Sequence, residues 1–453
     1  MAFPVIGGTQ VSGYNIDNSL RFNDDDTAYL SRTRSSQSNT TGTFSVWTKM
    51  GNPGADNVLF GGATDVNNRS YIYFSDPDGF VGIFSRTSGS ADIAYNSNAK
   101  FRDPSAWYHV VVAIDTTQGT AGNRFKMYIN GTQYTDWGTA TAPSQNASLP
   151  ILNQSAQTVG GGFGASAISA MAEGYMANAY YIDGQQLDAS NFGETNDNGV
   201  WIPKNYTGSY GTNGFKLEFK QLGTAADATS IGADTSGNDN HFSQTNVTPA
   251  VDRTTDTPTN NFCTFNPLKE RPGEGYATFS EGNCKATGTS LFAYSSFVLP
   301  SSGKWYAEFK ATAGSSTAYV ALLDVDDYTT DGNTNRLFYR NDGQKDTGSG
   351  ASSYGNSWTT GDILSIAASV DDSEVTFYKN GVAQDSGTAI SQTCANQYII
   401  VATAGGWTFE ANFGNPPFTI SSGNSDANGY GNFEYAPPAN YYSLCSKNLA
   451  EYG

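Results

Sequence analysis

Two short segments narrow what this chain can fold into. FKMYI, residues 125–129, alternates and ends on Asn130-Gly131; EVTFYK, residues 374–379, alternates and ends on Asn380-Gly381. A two-residue hairpin that follows the right-handed twist of its strands needs positive φ at both turn residues, and Asn-Gly accepts that conformation most readily. Each hairpin follows a long apolar run, WYHVVVAID at 107–115 and ILSIAASV at 363–370. Runs of that kind read as strands buried on both faces. A chain that does this in both halves is committed to antiparallel sheets packed face to face. The gaps before the hairpins differ and the flanking strands are unalike, so the pair is read as one local solution used twice rather than as a duplication. Tyr128 and Tyr378 are expected to brace these hairpins and not to touch a ligand.

The same grammar recurs along the chain. SLRFN, AYLSRT, TFSVWTKM, NVLFGGAT, YIYFS, FVGIFSRT, DIAYN, ANAYYIDGQQL and FKLEF are strand signals in the first half. SSFVL, KWYAEFKA, AYVALLDV, RLFYR, QYIIVAT and WTFEANFG continue in the second. In TFSVWTKM, Phe44, Val46 and Thr48 share one face while Trp47 and Lys49 take the other. The 50 Gly, 27 Tyr and 26 Phe supply turns and pleated aromatic surface, and runs of helix formers are scarce. The fold class is therefore all-β, with two antiparallel β-sandwich (jelly-roll) domains in tandem. At 453 residues there is room for two or three cores. We divide the chain into an extended N-terminal arm at 1–18, a sandwich at 19–222, a polar connector at 223–261 and a second sandwich at 262–453. The connector is rich in Thr, Asp, Asn and Ser, with Phe242 and Val247 available to dock; the Pro-rich, aromatic end of the chain is expected to pack back as a tail.

Charge excludes some partners. The net charge of −18 leaves too few cations to neutralise a phosphate backbone, which argues against nucleic acid and equally against an anionic membrane surface. No run approaches a membrane span. The opening MAFPVIGGTQVSGYNIDNS has neither the basic nor the apolar region of a secretory signal, so synthesis in a cytosol is expected. The hydroxyl-rich composition nonetheless suits an extracellular protein, and a virion component, made inside a cell and exposed on the particle surface outside it, fits both. Cys263, Cys284, Cys394 and Cys445 show no Cys-x-x-Cys and are read as buried free thiols; pairing of 263 with 284, or 394 with 445, cannot be settled from spacing.

SLRFNDDDTAYLSRT, TFSVWTKM, WYHVVVAID with FKMYINGTQ, and YYIDGQQLDASNFGE together resemble the laminin-G-like, concanavalin A-type jelly roll, over residues 19–222. GKWYAEFK, AYVALLDVDD, GDILSIAASVDDSEVTFYKNGV and YIIVATAGGWTFEANFG resemble a SPRY domain, over residues 262–415. IDGQQLDASNFGE, NGVWIPKNYTGSYGTNGFKLEF, DTPTNNFCTFNPL and ATFSEGNCKAT look like virion appendage proteins of tailed phages, notably marine ones. That resemblance implies a tail fibre or adhesin binding host surface glycan or receptor, or a head decoration that mainly contacts other virion proteins of capsid, tail or adaptor. In the latter case the arm Met1–Asn18 and the tail Pro437–Gly453 would carry the contacts. Fibres imply a homotrimer, although no heptad pattern specifies one.

Concanavalin A-type folds also host glucanases, in which retaining hydrolysis uses two carboxylates on one strand as Glu-x-Asp-x-x-Glu. No glutamate here, from Glu173 to Glu451, has Asp two positions on, so the expectation is no enzyme and no catalytic residue, with a polysaccharide depolymerase the weaker alternative. His109, inside a buried strand, reads as structural, and His241 as a loop residue. GGGFGAS at 160–166 lacks the strand-then-helix setting of a cofactor loop. For calcium, hard oxygen donors cluster at Asp24–Asp26, at Asp76, Asp78 and Gly79, at Asp324–Asp327 and in DTSGNDN; the last, with Asp234, Ser236, Asn238 and Asn240, has the best alternation. A solvated loop or turn accounts for each cluster equally well. No other cofactor is implied. For carbohydrate, the expected equipment is exposed aromatics beside Asp and Asn, and the candidates are Tyr71, Tyr73, Tyr134, Trp137 and Trp358, weighed against the many aromatics needed to fill two cores.

Overall fold

The computed structural model describes residues 13–34, 39–51, 56–75, 78–153, 156–163, 168–269, 277–289, 291–325, 336–403 and 405–453. Contacts divide the chain into two units, which we call N-terminal (Gln10–Thr259) and C-terminal (Asn260–Gly453). Both are built from antiparallel sheets, as the alternating segments require, with a short parallel pairing of Tyr442–Ser443 on Lys304–Gly314.

In the N-terminal unit the first sheet runs, from one edge, Thr132–Tyr134, Phe125–Ile129, Trp107–Asp115, Thr41–Met50, Gly174–Asp183, Ser19–Phe22 and Arg253–Thr254. The second runs Trp137–Thr141, Ser90–Ser97, Val81–Thr87, Asn68–Phe74, Asn57–Asp65, Ala156–Val159, Tyr29–Thr33 and Ser243–Thr245. Between them lies one core. Phe44 and Val46 sit opposite Val112 and Val110 in register, and the Phe44 ring stacks on Phe60 of the other sheet at 4.6 Å. Trp107–Asp115 is buried on both faces for a visible reason. Val110, Val112 and Ile114 enter the core, while Val111 turns outward under a layer made by Tyr180, Phe192 and Tyr206. Tyr128 joins that outer layer, which is the bracing role expected of it.

The polar connector at 223–261 is corrected by the structure. Ser243–Thr245 pairs with Tyr29–Thr33, and Arg253–Thr254 pairs with Ser19–Phe22, so the segment completes both sheets. Ile231, Phe242 and Val247 fill the core edge, and the boundary falls at Thr259. Its polar residues mislead as a linker signal because several of them bond to one another and to neighbouring backbone, as Ser236, Asn238 and Asn240 do. The arm is likewise shorter than expected. Ile16 packs on Trp47 and Ala177, and Tyr14 accepts from Asn178 Nδ2 at 2.7 Å, so residues 14–18 lie along the sheet; residues 1–12 are outside the described ones.

The C-terminal unit pairs a sheet ordered Thr278–Ser280, Lys285–Gly288, Trp407–Asn412, Lys304–Gly314, Ile363–Ser369, Glu374–Lys379 and Val382–Ala383 with one ordered Leu291–Val298, Gln397–Thr403, Ala318–Asp324, Arg336–Arg340, Gln344–Asp346 and Ala351–Ser353. The tail packs back, as expected. Ser446–Tyr452 is a short helix whose Leu449 enters the core, and the Tyr452 ring stacks on Tyr442 at 3.9 Å. Further back along the tail, the N–H groups of Glu434 and Tyr435 donate to the buried Glu308 carboxylate at 2.9 and 2.8 Å. All four cysteines are buried and free.

Both Asn-Gly turns take the backbone read from the sequence, with φ of 46° and 82° at Asn130-Gly131 and 49° and 77° at Asn380-Gly381. Close packing adds a second reason for glycine. A Cβ on Gly131 would stand 2.4 Å from the Trp201 ring, and one on Gly381 would stand 2.5 Å from the Tyr435 ring.

Candidate functional site

Asn68–Phe74 alternates cleanly. Ser70, Ile72 and Phe74 are buried, while Arg69, Tyr71 and Tyr73 face outward and are half-buried. On the adjacent strand Val81–Thr87, Ile83 and Ser85 point inward and Phe84 and Arg86 outward. Register then places Tyr71 opposite Phe84 and Arg69 opposite Arg86. The two tyrosine rings meet edge to face at 5.1 Å; Phe84 lies 5.5 Å from Tyr71, and Phe80 lies 5.9 Å from Tyr73. The residue opposite Tyr73 is Gly82, where a Cβ would come within 2.6 Å of Asn96 Oδ1 and 3.2 Å of the Tyr73 ring. The missing side chain lets the Tyr73 hydroxyl reach Asn96 Oδ1 at 3.2 Å. The result is a four-ring aromatic platform on the outer face of the second sheet.

Burial pushes the Tyr71 and Tyr73 hydroxyls above the usual phenol range, and the nearby Asp56 carboxylate reinforces the shift in both. Both are therefore neutral at physiological pH and donate as well as accept. The Arg69 guanidinium lies 5.9 Å over the Tyr71 ring and that of Arg86 lies 6.0 Å over Phe84. Aromatic faces of this kind stack on the apolar face of a sugar ring, and the tyrosine hydroxyls border them.

The other aromatic candidates do not join this platform. Tyr134 and Trp137 pack on each other at 4.9 Å, and Trp137 on Tyr95 and Phe125 at 5.0 and 5.8 Å, so the pair closes one end of the core. Trp358 must be withdrawn as a ligand contact. It is 3% exposed in the C-terminal core, against Trp407 and Phe409. Arg69, Phe80, Phe84, Arg86 and Asn96 were not singled out from the sequence. The alternation of FVGIFSRT, registered on YIYFS across the intervening turn, was the signal that could have found Phe84 and Arg86.

The DTSGNDN loop is also corrected. Asp234 Oδ1 accepts from the backbone N–H of Lys216 and Ser236, each at 2.9 Å, and Oδ2 accepts from Ser236 Oγ at 2.8 Å and the N–H of Asn240 at 2.9 Å. Asn238 and Asn240 turn their amide nitrogens, not their oxygens, onto the carbonyls of Gly211, Thr212 and Gly214. Ligands for calcium must offer oxygen lone pairs, and here the carboxylate's are already taken by N–H and O–H donors. His241 supports the same loop by accepting from the Asp234 N–H at 3.0 Å. Elsewhere, burial and the adjacent Asp25 raise the Asp24 carboxyl above its ordinary value against a hydrogen bond with Glu173. Asp78 pairs with Lys100 at 2.6 Å, whereas Asp76, Asp326 and Asp327 lie outside the described residues. Among the described residues no three His, Cys, Asp or Glu side chains are grouped to hold a metal.

His109 is structural in detail. Its Nδ1 accepts from Trp201 Nε1 at 3.0 Å, which leaves the proton on Nε2 to donate to Ser45 Oγ at 2.9 Å. Full burial pushes its pKa down to about 3, so the ring is neutral.

Residues 22–172, which contain the platform, match the concanavalin A-like lectin/glucanases superfamily in its laminin G type. The N-terminal unit carries a concanavalin A-like domain. A lectin-like domain of this type points to a binding or adhesin role. Similar solved structures include mouse laminin alpha1 chain domains LG4-5, at 10% identity, covering 91% of this chain and 92% of that one, with a TM-score of 0.29. The SPRY domain of human HERC1 is 16% identical, covering 32% of this chain and 96% of that one, with a TM-score of 0.27. A heptameric SAP-like pentraxin from Limulus polyphemus is 16% identical, covering 39% and 80%, with a TM-score of 0.27. No curated protein sequence matches.

Proposed function

We propose that this chain is an adhesin-type binding protein, an appendage of a phage particle, and that its N-terminal unit holds host surface glycan on the platform around Tyr71 and Tyr73. The observation that carries the reading is the pair itself. Two tyrosines two positions apart on one strand present half-buried rings 5.1 Å apart, on the outer face of a domain of lectin-like type. A core needs no such rings on its outside, and a row of them is the usual equipment for stacking on sugars. The phage setting is supported by the resemblance of the IDGQQLDASNFGE and DTPTNNFCTFNPL segments to virion appendages. No catalytic role follows from the platform, which offers stacking surface and hydrogen bonds but no paired carboxylates.

A glycan array of bacterial surface polysaccharides, read with the wild-type chain and with Tyr71→Ala and Tyr73→Ala, tests the reading. Binding by the wild type that falls about tenfold or more in each variant, with unchanged melting, supports it. Absence of binding to every polysaccharide and to host cells overturns it. Locating the chain in a particle reconstruction separates a tail fibre from a head decoration.

A further inference from the structure

The outer face of the first sheet of the N-terminal unit holds a pair that the binding reading does not use. Lys49, on Thr41–Met50, lies opposite Trp107 on one side and Tyr175 on the other. Its Nζ sits 5.6 Å over the Tyr175 ring and 2.8 Å from Asp256 Oδ2, and both side chains are 0% exposed. The other carboxylate oxygen of Asp256, Oδ1, accepts from Trp107 Nε1 at 3.1 Å. The Asp256 backbone is pinned as well. Its N–H donates to Thr254 Oγ1 at 3.1 Å, and its carbonyl accepts from Ser19 Oγ at 2.5 Å.

We propose that Lys49 and Asp256 are the site of a spontaneous intramolecular amide cross-link. A nitrogen 2.8 Å from one carboxylate oxygen stands about 3.5 Å from the carboxylate carbon, and the packing holds it there, so that a tilt of Nζ out of the carboxylate plane is the movement attack requires. Water is excluded, and the ionised form of a buried pair loses its hydration. Transfer of one proton along the Nζ–H···Oδ2 hydrogen bond gives an uncharged amine and acid. The Nζ lone pair attacks Cγ; the Nζ–Cγ bond forms and the Cγ–Oδ2 bond breaks. Oδ2 leaves as water with two protons, both from Nζ, and the amide keeps the third. No oxidant, metal or external base is needed for the balance. The Trp107 N–H, already on Oδ1, sits where negative charge develops on the carbonyl oxygen during attack. Such a bond spans 207 positions and ties the sheet to a segment three residues short of the unit's end. It supplies a covalent tie to a chain whose four cysteines are all free.

Denaturing intact-mass spectrometry of the full chain, followed by peptide mapping, tests it. The expected result is a mass lower than that of the sequence by one water, with the peptides bearing Lys49 and Asp256 joined. Lys49→Arg, which keeps the charge but not the nucleophile, should show the full sequence mass, migrate more slowly in a denaturing gel and melt at lower temperature. A wild-type mass equal to that of the sequence after prolonged incubation, or a lost water mapped to any other residues, overturns the proposal.

Discussion

The side-chain oxygen of Asn130 accepts from the backbone N–H of His109 at 2.8 Å, and the Asn130 N–H donates back to the His109 carbonyl at 2.9 Å. Asn380 repeats this in the other unit. Its Oδ1 accepts from the Ile363 N–H at 2.8 Å, and its N–H donates to the Ile363 carbonyl at 2.8 Å. In both, the turn residue bonds back to the near end of the buried strand one connection earlier. Removing the acceptor leaves a part-buried N–H unsatisfied and puts a less suitable residue at positive φ, so Asn130→Ala and Asn380→Ala should each cost about 1–3 kcal/mol in denaturant unfolding. Aspartate keeps the acceptor and should cost less. An alanine variant with unchanged stability would refute the capping role.

The two units should respond to acid in opposite directions. His109 has its pKa lowered to about 3 from 6.5, so the unfolded chain takes a proton that the fold refuses. The N-terminal unit should therefore lose stability as pH falls below about 6.5, by about 3 kcal/mol near pH 4. Glu308 is the reverse. Burial raises its carboxyl from 4.5 to about 7, against the pull of the Tyr435 and Glu434 N–H groups and the Asn412 amide. That contribution is full below about pH 4.5 and is lost as pH rises through about 7, again by about 3 kcal/mol at most. Calorimetry should resolve two transitions that shift in opposite senses over this range. Glu308→Gln should flatten the slope of the C-terminal unit alone; an unaltered slope would remove Glu308 as its cause.

Trp358 fills core, so its loss should be felt in folding and not in binding. Trp358→Ala should destabilise the C-terminal unit by about 3–5 kcal/mol while glycan binding by the intact N-terminal unit persists. Selective loss of binding with normal melting would return Trp358 to the list of ligand contacts.

Chelation separates a hydrogen-bonded loop from a metal site. With four donors already on Asp234, treatment with a chelator should leave the melting temperature unchanged. Asp234→Ala should lower stability by about 2–4 kcal/mol, because several buried or part-buried donors lose their acceptor. A chelator-induced drop in melting that calcium restores would contradict this.

Much of the fold was legible because its signals are local. Alternation set which residues of Thr41–Met50 and Asn68–Phe74 face the core, and Asn-Gly set the turns. The outward placement of Tyr71 and Tyr73 follows from the same alternation. The role of 223–259 was not, because a polar segment that bonds internally has the composition of a linker. Phe242 and Val247 were the hints, and both are buried in the core. Trp358 was misplaced because a tryptophan between polar neighbours looks alike in a loop and at a core edge. Only the register of distant strands puts it beside Trp407 and Phe409. The partners of Asp256, at 49 and 107, are equally non-local.

The layer of Phe192, Trp201 and Tyr206 over the first sheet has a consequence for avidity. With that sheet roofed by its own chain, the aromatic platform on the second sheet gives the domain one sticky side. If the platform holds glycan as proposed, a single domain engages one glycan surface at a time. Tight attachment would then have to come from many copies held in parallel, each adding a modest affinity at high effective concentration.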